Sequence, residues 1–196
     1  MIQETKMAWN LHRNSKSYTG AYPEGFLRNL NNLIGLKNKK VLHLFGGITK
    51  SSIDNYTNDI KPEIQATFHF DARKQFPIEN DVYDVVLCDP PYDLEENYIH
   101  LSDKKKRLHY GKNLYNTEFV PLYSFIKETI RVCKPEGFIC ILHFLVYKQF
   151  PGIKRFALIP IISGHNLRIR ILNIFQKLTK EQNLQNPKNF KYKKLI

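Results

Sequence analysis

The residue types best suited to chemistry in this chain lie in one tetrapeptide. Asp89, Pro90, Pro91 and Tyr92 follow directly after the apolar run 85–88. The two prolines fix two φ angles and remove two backbone donors, so the chain is rigid and its carbonyl oxygens point outward. A carboxylate and a proline carbonyl can together accept both hydrogens of an amino group, and Tyr92 offers a flat ring for stacking. The tetrapeptide predicts a receptor for an exocyclic amino group of a base, against the simpler interpretation of an ordinary proline turn.

A glycine pair and a second aspartate occupy similar positions. The apolar residues 41–45 lead into Gly46 and Gly47, which predicts a buried strand that enters a tight turn. Residues 65–70 form another strand candidate, which ends at Asp71. In mostly parallel sheets, ligands bind at the carboxyl ends of the strands, so these residues and the tetrapeptide predict one common site.

Helices and strands alternate along the chain and predict an α/β fold. Apolar residues at helical spacing predict helices over 26–34 and 120–132. Further strand candidates cover 138–144, 156–162 and 167–175, and a hairpin turn joins the last two. This order predicts a mostly parallel sheet that ends in an antiparallel hairpin.

The length of 196 residues suits a single domain. We expect an N-terminal polar segment over 1–22 and one α/β domain over 23–177. A basic loop insert over 93–118 interrupts that domain, and a basic C-terminal tail over 178–196, expected to fray, follows it.

Charge and cysteine content restrict the partners. The chain has 30 Lys and Arg against 18 Asp and Glu, a formal net charge of +12, which favours a polyanionic partner. No apolar run approaches the roughly 18 residues that cross a bilayer, and the N-terminus has no signal-peptide core, so we expect no membrane partner. Cys88, Cys133 and Cys140 form no CxxC pair and are interpreted as reduced, mostly buried thiols of a cytoplasmic protein. The scattered histidines predict no metal site.

The Asp-Pro-Pro-Tyr tetrapeptide resembles the catalytic motif of S-adenosylmethionine-dependent amino-methyltransferases, of which the adenine-N6 DNA methyltransferases are the best-known members. Similar tetrapeptides occur in rRNA guanine-N2 and protein glutamine methyltransferases. The resemblance implies a single class I methyltransferase domain of Rossmann-like fold, S-adenosylmethionine as cofactor, and methyl transfer to an amino group of a nucleic-acid base, with adenine N6 in DNA favoured.

The same resemblance implies a set of cofactor-binding residues. Phe45, Gly46 and Gly47 resemble the family's cofactor loop, usually Phe-x-Gly-x-Gly, although the second spaced glycine is missing here. Asp71 and Ala72 match the family phrase in which the aspartate receives the adenine amino group of the cofactor. Asp54 is the expected acceptor of the ribose hydroxyls, although it lies only nine residues after Phe45. Glu63 is the alternative acceptor, and a surface-loop role for Asp54 stays open.

The loop after the tetrapeptide carries cations interleaved with aromatic rings, a pattern that suits phosphates and unstacked bases. The predicted nucleic-acid-binding residues are Lys104, Lys105, Lys106, Arg107, Tyr110 and Lys112. A solvated charged loop is the alternative interpretation.

Three other functions stay open from the sequence. An RNA base amino-methyltransferase, of rRNA or tRNA, uses the same tetrapeptide. A protein glutamine methyltransferase more often has Asn at position 89, and a non-catalytic nucleic-acid-binding module explains the charge but not the motifs. No segment is long enough to form a separate target-recognition domain, so we expect a short and relaxed recognition sequence, or a protein partner or self-association that supplies recognition.

Overall fold

The computed structural model describes residues 8–12, 22–91, 123–163 and 168–185, and these ranges contain three helices and seven strands. The helices are α1 (Phe26–Ile34), α2 (Ile126–Val132) and α3 (Lys180–Gln185). The strands are β1 (Trp9–Leu11), β2 (Val41–His43), β3 (Asn55–Thr57), β4 (Tyr83–Cys88), β5 (Cys133–His143), β6 (Ile153–Ser163) and β7 (Arg168–Lys177).

All seven strands form one mixed sheet in the order β1-β6-β7-β5-β4-β2-β3. The pairs β2–β3, β2–β4, β4–β5 and β1–β6 are parallel, whereas β7 is antiparallel to both of its neighbours. The predicted sheet, mostly parallel and closed by an antiparallel hairpin, is therefore confirmed.

Both faces of the central strands are covered, which explains their continuous apolar sequence. Along β4, Val86 and Cys88 belong to one core cluster, whereas Val85 and Leu87 belong to the cluster on the other face. Helix α1 packs on that second face, because its residues at i, i+4 and i+8 (Phe26, Leu30, Ile34) are the buried ones. The three cysteines are free and buried, as predicted.

Several element boundaries differ from those that the sequence predicts. Strand β1 lies in the segment expected to be merely polar, and it pairs with β6 through only three residues, too few to give a periodic signal. The strand predicted over 65–70 is reduced to one bridge between Asn58 and Phe68. Helix α3 begins in the tail that we expected to fray.

Among the described residues, no helix has the length and apolar character needed to cross a membrane.

A bulged turn within β5, at 134–137, interrupts the ladder between β4 and β5. The register moves from Tyr83 opposite Cys133 to Val85 opposite Phe138, so β5 contains extra residues at this point. A Cβ added to Gly137 would lie 2.8 Å from the Asp84 carbonyl oxygen and 2.8 Å from the Cys133 sulfur. The absence of a side chain at position 137 thus allows β5 to approach β4 so closely.

We expect Gly137→Ala to destabilise the fold by about 1–3 kcal/mol, because backbone atoms must shift to admit the methyl group. Urea denaturation of the wild type and the variant measures the change. Glu136→Ala is the control, since it alters the same turn without adding an atom near β4. Equal midpoints for Gly137→Ala and the wild type would contradict this account of the turn.

Candidate active site at the carboxyl ends of the strands

A buried asparagine joins three chain segments at the carboxyl edge of the sheet. Asn58, only 1% exposed, directly follows β3. Its amide nitrogen donates to the carbonyl oxygens of Leu44 (3.2 Å) and Phe70 (3.1 Å), and its amide oxygen accepts from the Phe70 N–H (3.0 Å). Its backbone N–H donates to the His43 carbonyl, and its carbonyl accepts from the Gly46 N–H, both at 2.9 Å. Asn58 therefore fixes the turn after β2 relative to the segment that leads into Asp71.

The glycine turn after β2 packs tightly against β3. A Cβ at Gly46 would lie 3.0 Å from the Cβ of Thr57, and Gly47 has a φ of +50°, a region that favours glycine. The Gly47 N–H donates to a carboxylate oxygen of Asp59 at 3.2 Å. Phe45 packs edge-on against Phe125, with ring centroids 5.3 Å apart. The three residues of the predicted cofactor loop therefore lie together at the carboxyl end of β2.

Asp54 does not join them, and this prediction is wrong in its geometry. Its carbonyl oxygen accepts from the N–H of Val41 at 2.8 Å, so Asp54 lies beside the first residue of β2, at the opposite edge of the sheet. The reason is that the strand after the glycine turn begins at Asn55 rather than at residue 65. The acidic residue beyond the end of that strand is Asp59, and the alternative, Glu63, is exposed in the following turn. The sequence signal for Asp59 was the short β-prone pair Tyr-Thr two residues before it.

Asp71 and Ala72 lie in the segment held by Asn58. The Arg73 side chain pairs with the Asp71 carboxylate through Nε and a terminal nitrogen, each at 2.9 Å, and the Arg73 N–H donates to the same carboxylate. These hydrogen bonds lower the pKa of Asp71 below its ordinary value. Ala72 is buried in the core. The carboxylate at position 71 is thus ionised and held in one orientation.

Helix α2 holds the segment after Asp71 through a network of partly buried hydrogen bonds that includes one ion pair. A carboxylate oxygen of Glu128 accepts from the Phe76 N–H at 2.9 Å. The Arg131 guanidinium pairs with Glu128 and also donates to the carbonyls of Phe76 (3.0 Å) and Ile78 (2.7 Å). This network fixes residues 76–78 against the helix.

Asp89 lies directly after β4, beside the glycine turn. The N–H of Leu44 donates to the Leu87 carbonyl at 2.8 Å, so the ends of β2 and β4 remain paired up to the two motifs. The Asp89 side chain is only 4% exposed, and one of its carboxylate oxygens lies 3.5 Å from a terminal nitrogen of Arg170 on β7. Pro90 is buried and Pro91 is half-buried.

Two neutral groups lie behind Asp89. The Tyr22 hydroxyl is 3.3 Å from Nδ1 of His43, and the Tyr22 ring stacks on Phe26. Burial lowers the pKa of His43 to about 4, so the ring is uncharged near neutral pH. Burial, and then the nearby Asp89 charge, raise the pKa of Tyr22. The surroundings of Asp89 therefore carry no cation from these two side chains.

The fold brings the glycine turn, Asp59, the Asp71 segment and Asp89 to one edge. The chain passes from β2 to β3 on one side and returns to β4 on the other, which is the reversal point where α/β sheets bind ligands. Within the described ranges, no three side chains of metal-binding type form a group. Tyr92 and the predicted nucleic-acid-binding residues lie outside the described residues; those are Lys104, Lys105, Lys106, Arg107, Tyr110 and Lys112.

The sequence matches the family model described as Eco57I restriction-modification methylase over residues 6–158. Among solved structures, the fold is similar to TrmN from Thermus thermophilus (TM-score 0.52, 17% identity), which it matches over 80% of this chain and 49% of that chain. The chain thus spans about half the length of TrmN. The comparison with curated proteins finds no match.

The fold is also similar, with lower scores, to two proteins described as SAM-dependent methyltransferases. The one from Methanosarcina mazei has a TM-score of 0.48 and 12% identity, over 78% of this chain and 98% of that chain. The one from Aquifex aeolicus has a TM-score of 0.46 and 12% identity, over 77% and 89%. The predicted Rossmann-like α/β fold of class I methyltransferases is confirmed.

We expect Asn58→Ala to destabilise the protein by about 3 kcal/mol or more, because it leaves two buried carbonyls and one buried N–H without their partner. Thermal unfolding followed by circular dichroism measures the loss. Asn80→Ala, in an exposed turn, is the matched control, since its amide oxygen accepts an exposed hydrogen bond from Arg131. A similar small effect for both variants would exclude Asn58 as the residue that joins the three segments.

Proposed function

The chain belongs to the Eco57I restriction-modification methylase family, and from this premise we propose that it transfers a methyl group from S-adenosylmethionine to an amino group of a nucleic-acid base. Adenine N6 in DNA is the acceptor that we favour. The observation that carries the proposal is the nearly buried Asp89 carboxylate at the end of β4, directly beside the glycine turn that follows β2. That arrangement suits a methyl donor bound at the glycine turn and an acceptor amino group bound at Asp89.

The residues of the glycine turn fit a cofactor with a ribose and an adenine ring. Gly46 and Gly47 let the backbone pass close to a ligand, and the Asp59 carboxylate, oriented by the Gly47 N–H, can accept hydrogen bonds from ribose hydroxyls. Asp71 can accept from the adenine amino group, because a carboxylate has lone pairs beyond those that Arg73 uses. Asp59 replaces Asp54 in this role.

S-adenosylmethionine supplies a methyl group on a sulfonium, which is already activated for attack. Asp89 and the Pro90 carbonyl accept the two amino hydrogens, which localises the lone pair on the nitrogen and holds it in line for attack. With the cofactor bound, the methyl group would pass to the nitrogen, S-adenosylhomocysteine would remain as the leaving group, and the extra proton would leave the nitrogen for water. Tyr92 stacks on the base.

A base in a duplex must leave the stack before its amino group can reach such a site. The net charge of +12 suits a phosphate polymer. The residues to which we assign nucleic-acid binding are Lys104, Lys105, Lys106, Arg107, Tyr110 and Lys112. Target recognition is then short and relaxed, or it is supplied by a protein partner or a second copy of the chain.

We expect Asp59→Ala to weaken S-adenosylmethionine binding at least about tenfold, because hydrogen bonds from the ribose hydroxyls to a charged acceptor are lost. Titration calorimetry measures the Kd. Asp54→Ala makes the same chemical change at the opposite edge of the sheet, and we expect it to leave the Kd within about twofold. The reverse order of effects would restore Asp54 as the ribose acceptor.

We expect Asp89→Ala to reduce methyl transfer by a factor of about 10³ or more while cofactor binding persists, since Asp89 contacts the acceptor rather than the cofactor. The assay follows tritiated methyl groups from S-adenosylmethionine into separate DNA, RNA and protein pools. Label in DNA as N6-methyladenine supports the proposal. Label in RNA or protein instead would redirect it to that acceptor, and no cofactor binding by the wild type would end it.

A further inference from the structure

One partner of Asp89, Arg170, comes from a distant part of the chain. Arg170 lies on β7, and β5 separates β7 from β4, so the arginine side chain spans about 10 Å of sheet to reach the carboxylate. The Arg170 side chain is 15% exposed and that of Asp89 is 4% exposed. The acceptor position proposed for the amino group is therefore flanked by a nearly buried hydrogen-bond donor.

The contact between the two side chains is loose. At 3.5 Å, the distance from the Arg170 nitrogen to the Asp89 oxygen is longer than the usual 2.7–2.9 Å or so of a charge-assisted hydrogen bond. A carboxylate accepts at about four positions and a guanidinium carries five N–H donors. A ligand edge that offers a donor to Asp89 and an acceptor to Arg170 would therefore meet both charged groups at this loose contact.

The bases differ at the position next to the amino group. In adenine and cytosine, the ring nitrogen beside the amino-bearing carbon is an acceptor, N1 or N3 respectively. In guanine the amino-bearing carbon lies between N1, which carries a hydrogen and is a donor, and N3, which is an acceptor. Adenine and cytosine therefore offer the arginine a ring-nitrogen acceptor on the one nitrogen-bearing side of the amino group, whereas guanine does so only when N3 rather than N1 faces it.

We propose that Arg170 donates a hydrogen bond to the ring nitrogen beside the amino group held by Asp89. The pair then favours a base edge with adjacent amino donor and ring-nitrogen acceptor, such as adenine and cytosine present, over the N1–H edge of guanine. This inference rests on the proposed function and deepens it, because it assigns a specificity-determining residue outside the tetrapeptide.

Analogue oligonucleotides test the assignment. The wild-type chain first identifies the sequence that it methylates in DNA, and that sequence is synthesised with the target adenine replaced by 1-deazaadenine or by 7-deazaadenine. The first analogue lacks the acceptor beside the amino group, and the second keeps it. We expect wild-type kcat/KM to be about tenfold to a hundredfold lower on 1-deazaadenine than on 7-deazaadenine.

Substitution of the arginine should remove this difference. In Arg170→Met the ratio between the two analogues should fall to within about threefold, whereas Arg155→Met should keep the wild-type ratio. Arg155 is the matched control because it lies on β6 in the same hairpin with its guanidinium over the Phe175 ring, and its paired residue Phe175 is five residues, or about 17 Å, along β7 from Arg170. Calorimetry of S-adenosylmethionine binding and the thermal midpoint verify that each variant is folded.

The outcomes separate the two proposals. Equal rates of the wild type on both analogues, or an unchanged ratio in Arg170→Met, would overturn the role of Arg170 while methyl transfer itself stands. Where Arg170→Met does not fold, Arg170→Gln, whose shorter amide does not reach the base, decides by the same ratio. Absence of methyl transfer to any nucleic acid would overturn the proposed function, and the role of Arg170 with it.

Discussion

The candidate site depends on one constraint, which is that the Asn58 amide has no water around it and must find its partners within the protein. It finds them in three segments that meet only when β2 and β3 are paired and residues 68–70 lie beside them. A buried amide that pairs with two carbonyls and an N–H contributes more to stability than the sum of its separate hydrogen bonds, because any displacement leaves several groups unpaired. The glycine turn, Asp59 and the Asp71 segment therefore keep their relative positions because one side chain between them is fully bonded.

The alternation of side chains along β4 is a second constraint on the position of the site. Successive side chains of β4 enter opposite cores, and both cores are apolar, so a slip by one residue would either bury Asp84 at the position of Val85 or move Val85 to the half-buried position of Asp84. Fixing β4 also fixes the point at which Asp89 emerges beside the end of β2. The positions of the site residues thus depend on how β4 packs between the two cores, away from the site itself.

The sequence alone predicted the motifs and the class of fold, because both depend on local patterns. Apolar runs that end in glycine or aspartate identify the strands and the edge where ligands bind, and the helical spacing of α1 identifies its buried face. Asp59 was missed, and Asp54 was chosen instead, because the difference depends on where a three-residue strand begins. Propensity does not fix a strand boundary within a few residues, and here the carboxylates compared are five residues apart. Asn58 was missed for a related reason, since its partners are set by strand pairing and not by spacing.

Asp71 and Asp89, the two site carboxylates with arginine partners, also differ in how far the sequence alone could predict their surroundings. Asp71 is held by Arg73, two residues away, through two contacts of 2.9 Å, and this arrangement needs little more than a local turn. Asp89 is approached by an arginine 81 residues away, which arrives only when β7 has inserted between β5 and β6. A nearly buried carboxylate is costly unless a cation is close, so the fold must supply that cation wherever Asp89 is to be buried. In the function that we propose, the cofactor half of the site is thus largely encoded in consecutive residues, whereas the acceptor half exists only in the completed sheet, and selection among bases would be a property of the tertiary fold rather than of the motif.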